Sequence, residues 1–241
     1  MKEYTGQRIR EISFPIGGIG TGCIGLGGDG RLREWEIRNH PDKGALNGFS
    51  HIAVKAEHNG QVLDARVLNT DLADGLTGQY VNRMWFGFGH GPFRETMAGI
   101  PHFADGVFQA QYPFARLRFQ DKDFPGQVAL KAFNPFIPLN ADDSSIPAGF
   151  FEVELRNDTA LALDYTVAFS LGSMFSQADG QNTRVRADGC QALLLRNARA
   201  ARDDLFYPQL GVKTLLDGGR RRTKNLYGVV KRTVPAGQVR Q

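Results

Sequence analysis

The chain has 241 residues, of which 29 are glycine, 41% are hydrophobic and 22% are charged, and its formal net charge is +4. This composition excludes a disordered or low-complexity chain, and the length is sufficient for one large folded domain. Two cysteines are too few for a disulfide framework, and the polar residues 1–6 do not open a secretory signal, so we expect a cytoplasmic protein. The uncharged stretch 12–28 contains seven glycines and is too short to span a membrane.

The first distinctive segment along the chain is the glycine-rich stretch 17–30. It contains the pattern GxGxxG twice, at 20–25 and at 25–30. A pyrophosphate site needs a strand before the glycines and a helix N-terminus after them, whereas the following residues, 31–38, alternate like a strand. We therefore interpret the glycines as tight turns and close backbone contacts, and we expect no nucleotide or other cofactor.

Four pairs of segments with period-two alternation predict β-hairpins. They are 51–57 with 61–68, 115–119 with 128–130, 150–156 with 161–171, and 184–187 with 190–196. Asn59-Gly60 accepts the positive φ of a type I′ turn, whereas the helical spacing in 72–84 is broken by two glycines. The sequence therefore predicts an all-β fold: an antiparallel β-sandwich with long irregular loops and little helix.

Two pairs of acidic residues have the spacing of candidate glycosidase carboxylates. Glu34 and Glu36 lie two apart on a predicted strand, and Asp142 and Asp143 are adjacent in a predicted loop. Each pair also has a structural explanation, as solvent-facing strand positions or as a turn whose side chains bind nearby amides. We therefore assign no catalytic residue, and the five histidines lack ligand spacing, so no metal site is predicted.

Three stretches carry a resemblance to a known family. They are 14–25 (FPIGGIGTGCIG) with the strand around Trp35 that follows it, 102–115 (HFADGVF, then YPFA), and 132–147 (AFNPFIPLNADDSSIP). In this order they resemble segments of the N-terminal domain of glycoside hydrolase family 116, which contains β-glucosidases and non-lysosomal glucosylceramidases. The resemblance covers residues 4–210.

The resemblance implies a function as well as a fold. Members of the family join an N-terminal β-sandwich to a helical barrel, and they hydrolyse β-glucosides with retention, including glucosylceramide. Their nucleophile and their acid/base carboxylate both lie in the barrel, which these 241 residues do not contain, as expected for a truncated or frameshifted gene. We therefore expect a non-catalytic supporting domain whose partner is the helical catalytic domain, in cis or as a separate chain.

Two segments are candidates for the rim of the sugar site or for the contact with the barrel. The candidate residues are Gly18, Gly20, Thr21, Asn140, Asp142 and Asp143. Polar groups crowded among proline and glycine suggest a role outside core packing, and stabilisation of internal turns is the alternative. A freestanding carbohydrate-binding module, with Trp35, Trp85 or Phe88 as its sugar platform, is the competing function.

The C-terminal segment differs from the rest of the chain. Residues 217–241 carry five arginines and two lysines against one acid, so this segment has a net charge of +6 and residues 1–216 have −2. We therefore divide the chain into a sandwich domain, 1–216, and a divergent, poorly ordered basic tail, 217–241. Residues 226–230 could add one loosely held edge strand. The body shows no basic helix, so no nucleic-acid partner is expected.

Overall fold

The computed structural model describes residues 2–37, 40–71, 97, 99–173, 179–187, 190–201, 209–214 and 227–240. Within these ranges the chain forms strands, one short 3-10 helix at Gly6–Ile9 and one short α-helix, α1. The elements are β1 (Lys2–Tyr4), β2 (Ser13–Ile16), β3 (Cys23–Gly27), β4 (Leu32–Glu36), β5 (His51–His58), β6 (Gln61–Val67), β7 (Asp105–Gln111), β8 (Phe114–Gln120), β9 (Gln127–Phe133), α1 (Ala141–Ser144), β10 (Phe150–Arg156), β11 (Leu163–Ser170), β12 (Gly180–Ala187), β13 (Cys190–Asn197), β14 (Gln209–Thr214), β15 (Tyr227–Val234) and β16 (Val239–Arg240).

The largest sheet has six strands in the order β1-β7-β8-β9-β10-β16, and all its pairs are antiparallel. Alternation gives the central strands one apolar face, where Leu117, Leu130 and Leu155 are buried. The opposite face is charged, because Lys131 pairs there with Glu152 and Glu154. One face of this sheet is therefore suited to a core and the other to solvent.

The second layer is a four-stranded antiparallel sheet in the order β15-β11-β5-β6. Its buried Tyr165 donates a hydrogen bond to the carbonyl of Pro125, and Phe169 stacks on Phe151 of the six-stranded sheet with ring centroids 6.2 Å apart. Buried residues of both sheets form one hydrophobic cluster. The predicted antiparallel β-sandwich is therefore confirmed.

Three of the four predicted hairpins are confirmed, and the fourth is wrong. The pairs β5–β6, β8–β9 and β12–β13 are hairpins, and Asn59 and Gly60 both have positive φ, as a type I′ turn requires. Strands β10 and β11 do not pair, because β10 lies in the six-stranded sheet and β11 in the four-stranded sheet. The connection between them is fixed by Asn157, whose side chain binds the carbonyls of Leu161 and Val234.

The remaining described strands form two three-stranded antiparallel sheets, β2-β3-β4 and β12-β13-β14. A strand, β4, follows the glycines, as predicted, so the GxGxxG patterns lack the helix N-terminus that a pyrophosphate needs. The helical spacing noted in 72–84 lies outside the described residues. In the described part of the chain, no helix is long and apolar enough to cross a membrane.

The C-terminal segment contributes to both layers of the sandwich. Strand β15 pairs with β11 over eight positions, and β16 pairs with β10 over two. The side chain of Val234 is fully buried, with 0% exposure. Residues 227–234 therefore form a long edge strand, where the sequence suggested a loosely held one. Residues 215–226, which hold the clustered arginines, lie outside the described residues.

Candidate functional site

The two segments singled out in the sequence meet at one end of the sandwich. The first is the loop 17–22, which joins β2 to β3, and the second is the segment 134–147, which follows β9 and contains α1. Asn134 joins them: its Oδ1 accepts a hydrogen bond from the Gly17 amide at 2.6 Å, and its Nδ2 donates to the Pro15 carbonyl at 2.8 Å. Asn134 is only 5% exposed, so its side chain makes these bonds from a buried position, while Gly17 is half-buried and Pro15 is exposed.

The backbones of the two segments also touch directly. The amide of Ile19 donates to the carbonyl of Ser144 at 2.9 Å. At Gly18, an added Cβ would lie 2.7 Å from Thr21 Oγ1 and well inside contact distance of the Ile146 carbonyl oxygen, so only glycine fits there. Gly20 has a positive φ of 73° with open space around it. The loop is therefore seated tightly at Gly18 and exposed at Gly20 and Thr21.

The candidate polar residues of the second segment mainly hold their own turn together. Asn140 is the N-cap of α1: its Oδ1 accepts from the Asp143 amide at 3.1 Å, and its Nδ2 donates to the Asp143 carboxylate at 2.6 Å. Ser144 Oγ accepts from the Ile137 amide and donates to the Ile137 carbonyl. Asp142 and Asp143 are exposed. The side chains of Asn140 and Asp143 therefore stabilise their own turn.

Exposed apolar side chains surround these two segments. Of the twelve large hydrophobic side chains that are exposed in the described part of the chain, seven belong to this end. We call this surface the apolar end; its members are Ile19, Tyr112, Phe114, Ile137, Leu139, Ile146 and Phe150. Isolated exposed hydrophobic residues are ordinary, whereas a cluster of them marks an interaction surface.

An aromatic ladder runs across the apolar end. Phe114, Phe133 and Phe150 occupy paired positions on β8, β9 and β10. The Phe133 and Phe150 rings stack with centroids 4.7 Å apart, and Phe114 lies 5.9 Å from Phe133. Next to the ladder, Tyr112 meets the edge of the Phe136 ring at 5.2 Å. Sequence reasoning did not single out this ladder, although one phenylalanine at the matching end of each strand was a visible signal.

The carboxylate pair Glu34 and Glu36 lies outside the apolar end and is neutralised by a lysine. Lys43 Nζ lies 2.8 Å from Glu36 and 3.7 Å from Glu34, and Ser13 Oγ donates to Glu34 at 2.6 Å. The hydrogen bond from Lys43 lowers the pKa of Glu36. A general acid needs a raised pKa, so Glu36 has the electrostatics of a structural ion pair with Lys43.

The other predicted functional residues separate into core residues and undescribed ones. Trp35, a proposed sugar platform, is 6% exposed and belongs to the hydrophobic core, so it offers no surface to a sugar. Trp85 and Phe88 lie outside the described residues.

Cys23 is a free, half-buried thiol, and burial, followed by the charge of Glu36, raises its pKa. A thiol in this state is a poor nucleophile.

The fold and the matched motifs together define a class of protein, an antiparallel β-sandwich domain of a glycoside hydrolase. Residues 13–215 match the family model described as beta-glucosidase 2, glycosyl-hydrolase family 116 N-term. The match covers most of the chain and includes both segments that meet at the apolar end. The chain therefore belongs to the N-terminal domain family of glycoside hydrolase family 116, as its motifs predicted.

Proposed function

We propose that this β-sandwich is the non-catalytic N-terminal domain of a retaining β-glucosidase or glucosylceramidase, and that it packs against and supports a helical catalytic domain. The observation that carries the proposal is the family match, because the matching model describes the N-terminal part of a family-116 β-glucosidase. The partner is the helical domain, either in the same polypeptide or as a separate chain.

The apolar end supports this role. It combines a rigid pair of loops, held by Asn134 and by the contact of Ile19 with Ser144, with an exposed aromatic ladder. A solvent-facing surface in a lone domain has no need of such a cluster, whereas an interface between two domains buries it. Gly18, Gly20 and Thr21 flank Ile19 in the loop 17–22, and Asn140, Asp142 and Asp143 lie between Leu139 and Ile146 in the segment 134–147.

The electrostatics of the described carboxylates support a non-catalytic role. Retaining glycosidases use one carboxylate as the nucleophile and a second carboxyl group as the acid. Lys43 lowers the pKa of Glu36, and the Asp143 carboxylate accepts a hydrogen bond from Asn140, the N-cap of α1. Both carboxylates therefore have structural partners within the domain.

The test is complex formation with the helical domain of a family-116 β-glucosidase, expressed without its own N-terminal domain. Co-expression with this chain should give a one-to-one complex in size-exclusion chromatography with light scattering, and the helical domain should melt at a higher temperature in the complex. The control is the same helical domain with an unrelated β-sandwich protein. Absence of a complex with the wild-type chain would contradict the proposal.

A further inference from the structure

We propose that Leu139 is a preorganised apolar anchor by which the apolar end docks onto the helical catalytic domain. This inference rests on the proposed function and names the residue on which docking depends. The argument comes from the backbone of Leu139, from its exposure and from its surroundings.

Leu139 occupies a backbone position that leucine disfavours. The amide of Asn140 donates to the carbonyl of Ile137 at 3.1 Å, which closes a turn with Pro138 second and Leu139 third. Leu139 has a φ of +65°, as expected for the third position of a type II turn. Glycine or asparagine is favoured at that position, because a Cβ is crowded at positive φ. Leucine therefore makes the isolated turn less stable than glycine would.

Among the described residues, no packing against the Leu139 side chain offsets this strain. The relative exposure of Leu139 is 108%, so its side chain projects fully into solvent. Strained backbone positions persist where surrounding structure fixes them, and they concentrate at sites that bind a partner. Here the turn is fixed on both sides, by Ser144 Oγ bonding both backbone groups of Ile137 and by Asn140 capping α1.

A rigid, exposed apolar side chain is an efficient anchor for a protein partner. Because the turn is already ordered, binding costs less conformational entropy than it would for a flexible loop. Anchors of this kind carry much of the binding energy when they fill a pocket near the centre of an interface. Leu139 lies between the exposed residues Ile137 and Ile146 on one segment, so apolar side chains flank it along the chain.

The charged residues beside Leu139 indicate which charges its partner carries at the interface. Asp142 and Asp143 are exposed, and α1 has no basic residue in its last turn. Beside α1 the surface thus has an acidic margin, which complements an apolar pocket edged by lysine or arginine. Beside the ladder, the neighbouring paired positions hold Arg116, Lys131 and Glu152, so the charge there is mixed. The helical domain is the occupant to which we commit, because under the proposed function this chain is the N-terminal part of a family-116 β-glucosidase and packs against that domain.

The test measures affinity and stability on the same variants. Binding of the helical domain is measured by calorimetry for the wild-type chain, for Leu139→Asp and for Leu139→Gly, with Leu161→Asp as the matched control. Leu161 is an exposed leucine, 43% accessible, in the connection between β10 and β11. Both Leu139 variants should bind about tenfold more weakly or worse, and the control should bind like wild type.

Stability separates an anchor from a packing residue. The urea midpoint of the isolated chain should rise in Leu139→Gly, since glycine relieves the strained turn, while its affinity falls. A fall in the urea midpoint of Leu139→Gly would overturn the anchor proposal, and so would equal binding by the wild type and both Leu139 variants. Neither of these results would affect the proposed function. Absence of binding by the wild-type chain would overturn both the anchor proposal and the proposed function. The wild-type chain could instead form a dimer that is lost in Leu139→Asp and that the helical domain does not displace. This result would identify a second copy of the chain as the occupant, and it would also overturn the proposal that Leu139 binds the helical domain.

Discussion

Asn134 shows how one side chain can fix the position of two distant segments. Its two bonds reach residues 117 and 119 positions earlier in the chain, and both start from a buried side chain. We expect Asn134→Ala to lower the free energy of unfolding by about 1–3 kcal/mol, because two hydrogen bonds are lost and the half-buried Gly17 amide is left unsatisfied. Urea denaturation monitored by fluorescence measures this change.

The matched control for Asn134 is an amide on the surface. Gln127 Nε2 bonds the exposed carboxylate of Asp158 at 2.8 Å, so Gln127→Ala should change the free energy of unfolding by less than about 0.5 kcal/mol. Equal effects of the two substitutions would show that Asn134 does not join the segments as described.

Gly18 and Gly20 provide a second matched pair within the same loop. Gly18→Ala forces the loop away from Ile146 and should cost about 1–3 kcal/mol, whereas Gly20→Ala adds only the strain of its positive φ, about 1 kcal/mol. Hydrogen exchange distinguishes the two effects. The Ile19 amide, bonded to Ser144, should lose its protection in Gly18→Ala and keep it in Gly20→Ala. Retained protection of the Ile19 amide in both variants would contradict the close contact between Gly18 and Ile146.

His102 makes stability depend on pH near neutrality. Its side chain is 9% exposed, its Nε2 is buried without a hydrogen-bond partner, and burial, then the charge of Arg31, lowers its pKa from the ordinary 6.5. The unfolded chain therefore binds a proton more readily than the folded one, so stability present above pH 6.5 is lost as the pH falls through that value. Asp71 and Asp29 oppose this effect only in part.

The measurement for His102 is the urea midpoint between pH 7.5 and 5.5. The wild-type midpoint should fall over this range, and His102→Gln, which does not titrate, should show a flatter dependence. His51 contributes in the same direction, because burial lowers its pKa as well. A dependence as steep in His102→Gln as in wild type would assign the effect to other groups.

At the scale of elements, β15 completes the four-stranded sheet. It pairs with β11 over eight positions, and the Val234 carbonyl accepts a bond from buried Asn157. Truncation after residue 226 removes this strand and leaves the edge of β11 unpaired, so we expect the melting temperature to fall by more than about 10 °C or cooperative unfolding to be lost. A calorimetric melt measures this. Truncation after residue 236, which removes only β16, should have a much smaller effect, and a melt unchanged by the longer deletion would show that β15 is dispensable.

The alternation of the sequence predicted which strands pair only where a short turn links them, and it failed for β10 and β11. The turn at Asn59-Gly60 is local, so the β5–β6 hairpin followed from two residues. Strands β10 and β11 alternate just as clearly, yet their partners are decided by contacts far along the chain, where Asn157 meets Val234. The partners of Asn134 could not be predicted either, because it lies in the segment 132–147 but bonds Pro15 and Gly17, more than a hundred residues earlier. The positive φ of Leu139 is equally invisible in the sequence, because leucine does not signal it.

At the scale of the whole molecule, the proposed supporting role predicts no catalysis by this chain alone. We expect the purified protein alone not to hydrolyse a nitrophenyl β-glucoside, since Glu36 is held ionised by Lys43 and Asp143 is bound to its own helix cap. An intact family-116 β-glucosidase serves as the positive control. Turnover that disappears in Glu34→Gln or Asp142→Asn would contradict this expectation.

The pairing order of the sandwich has a consequence for its synthesis. The centre of the four-stranded sheet joins β5 to β11, with His51 opposite Ser170, and β15 then joins β11. A ribosome must therefore release more than a hundred further residues before β5 acquires its second neighbour, and such long-range pairing folds slowly. During that interval the nascent chain carries unpaired strand edges, which favour aggregation. Chaperone protection of these edges therefore matters most until β11 has emerged and paired with β5.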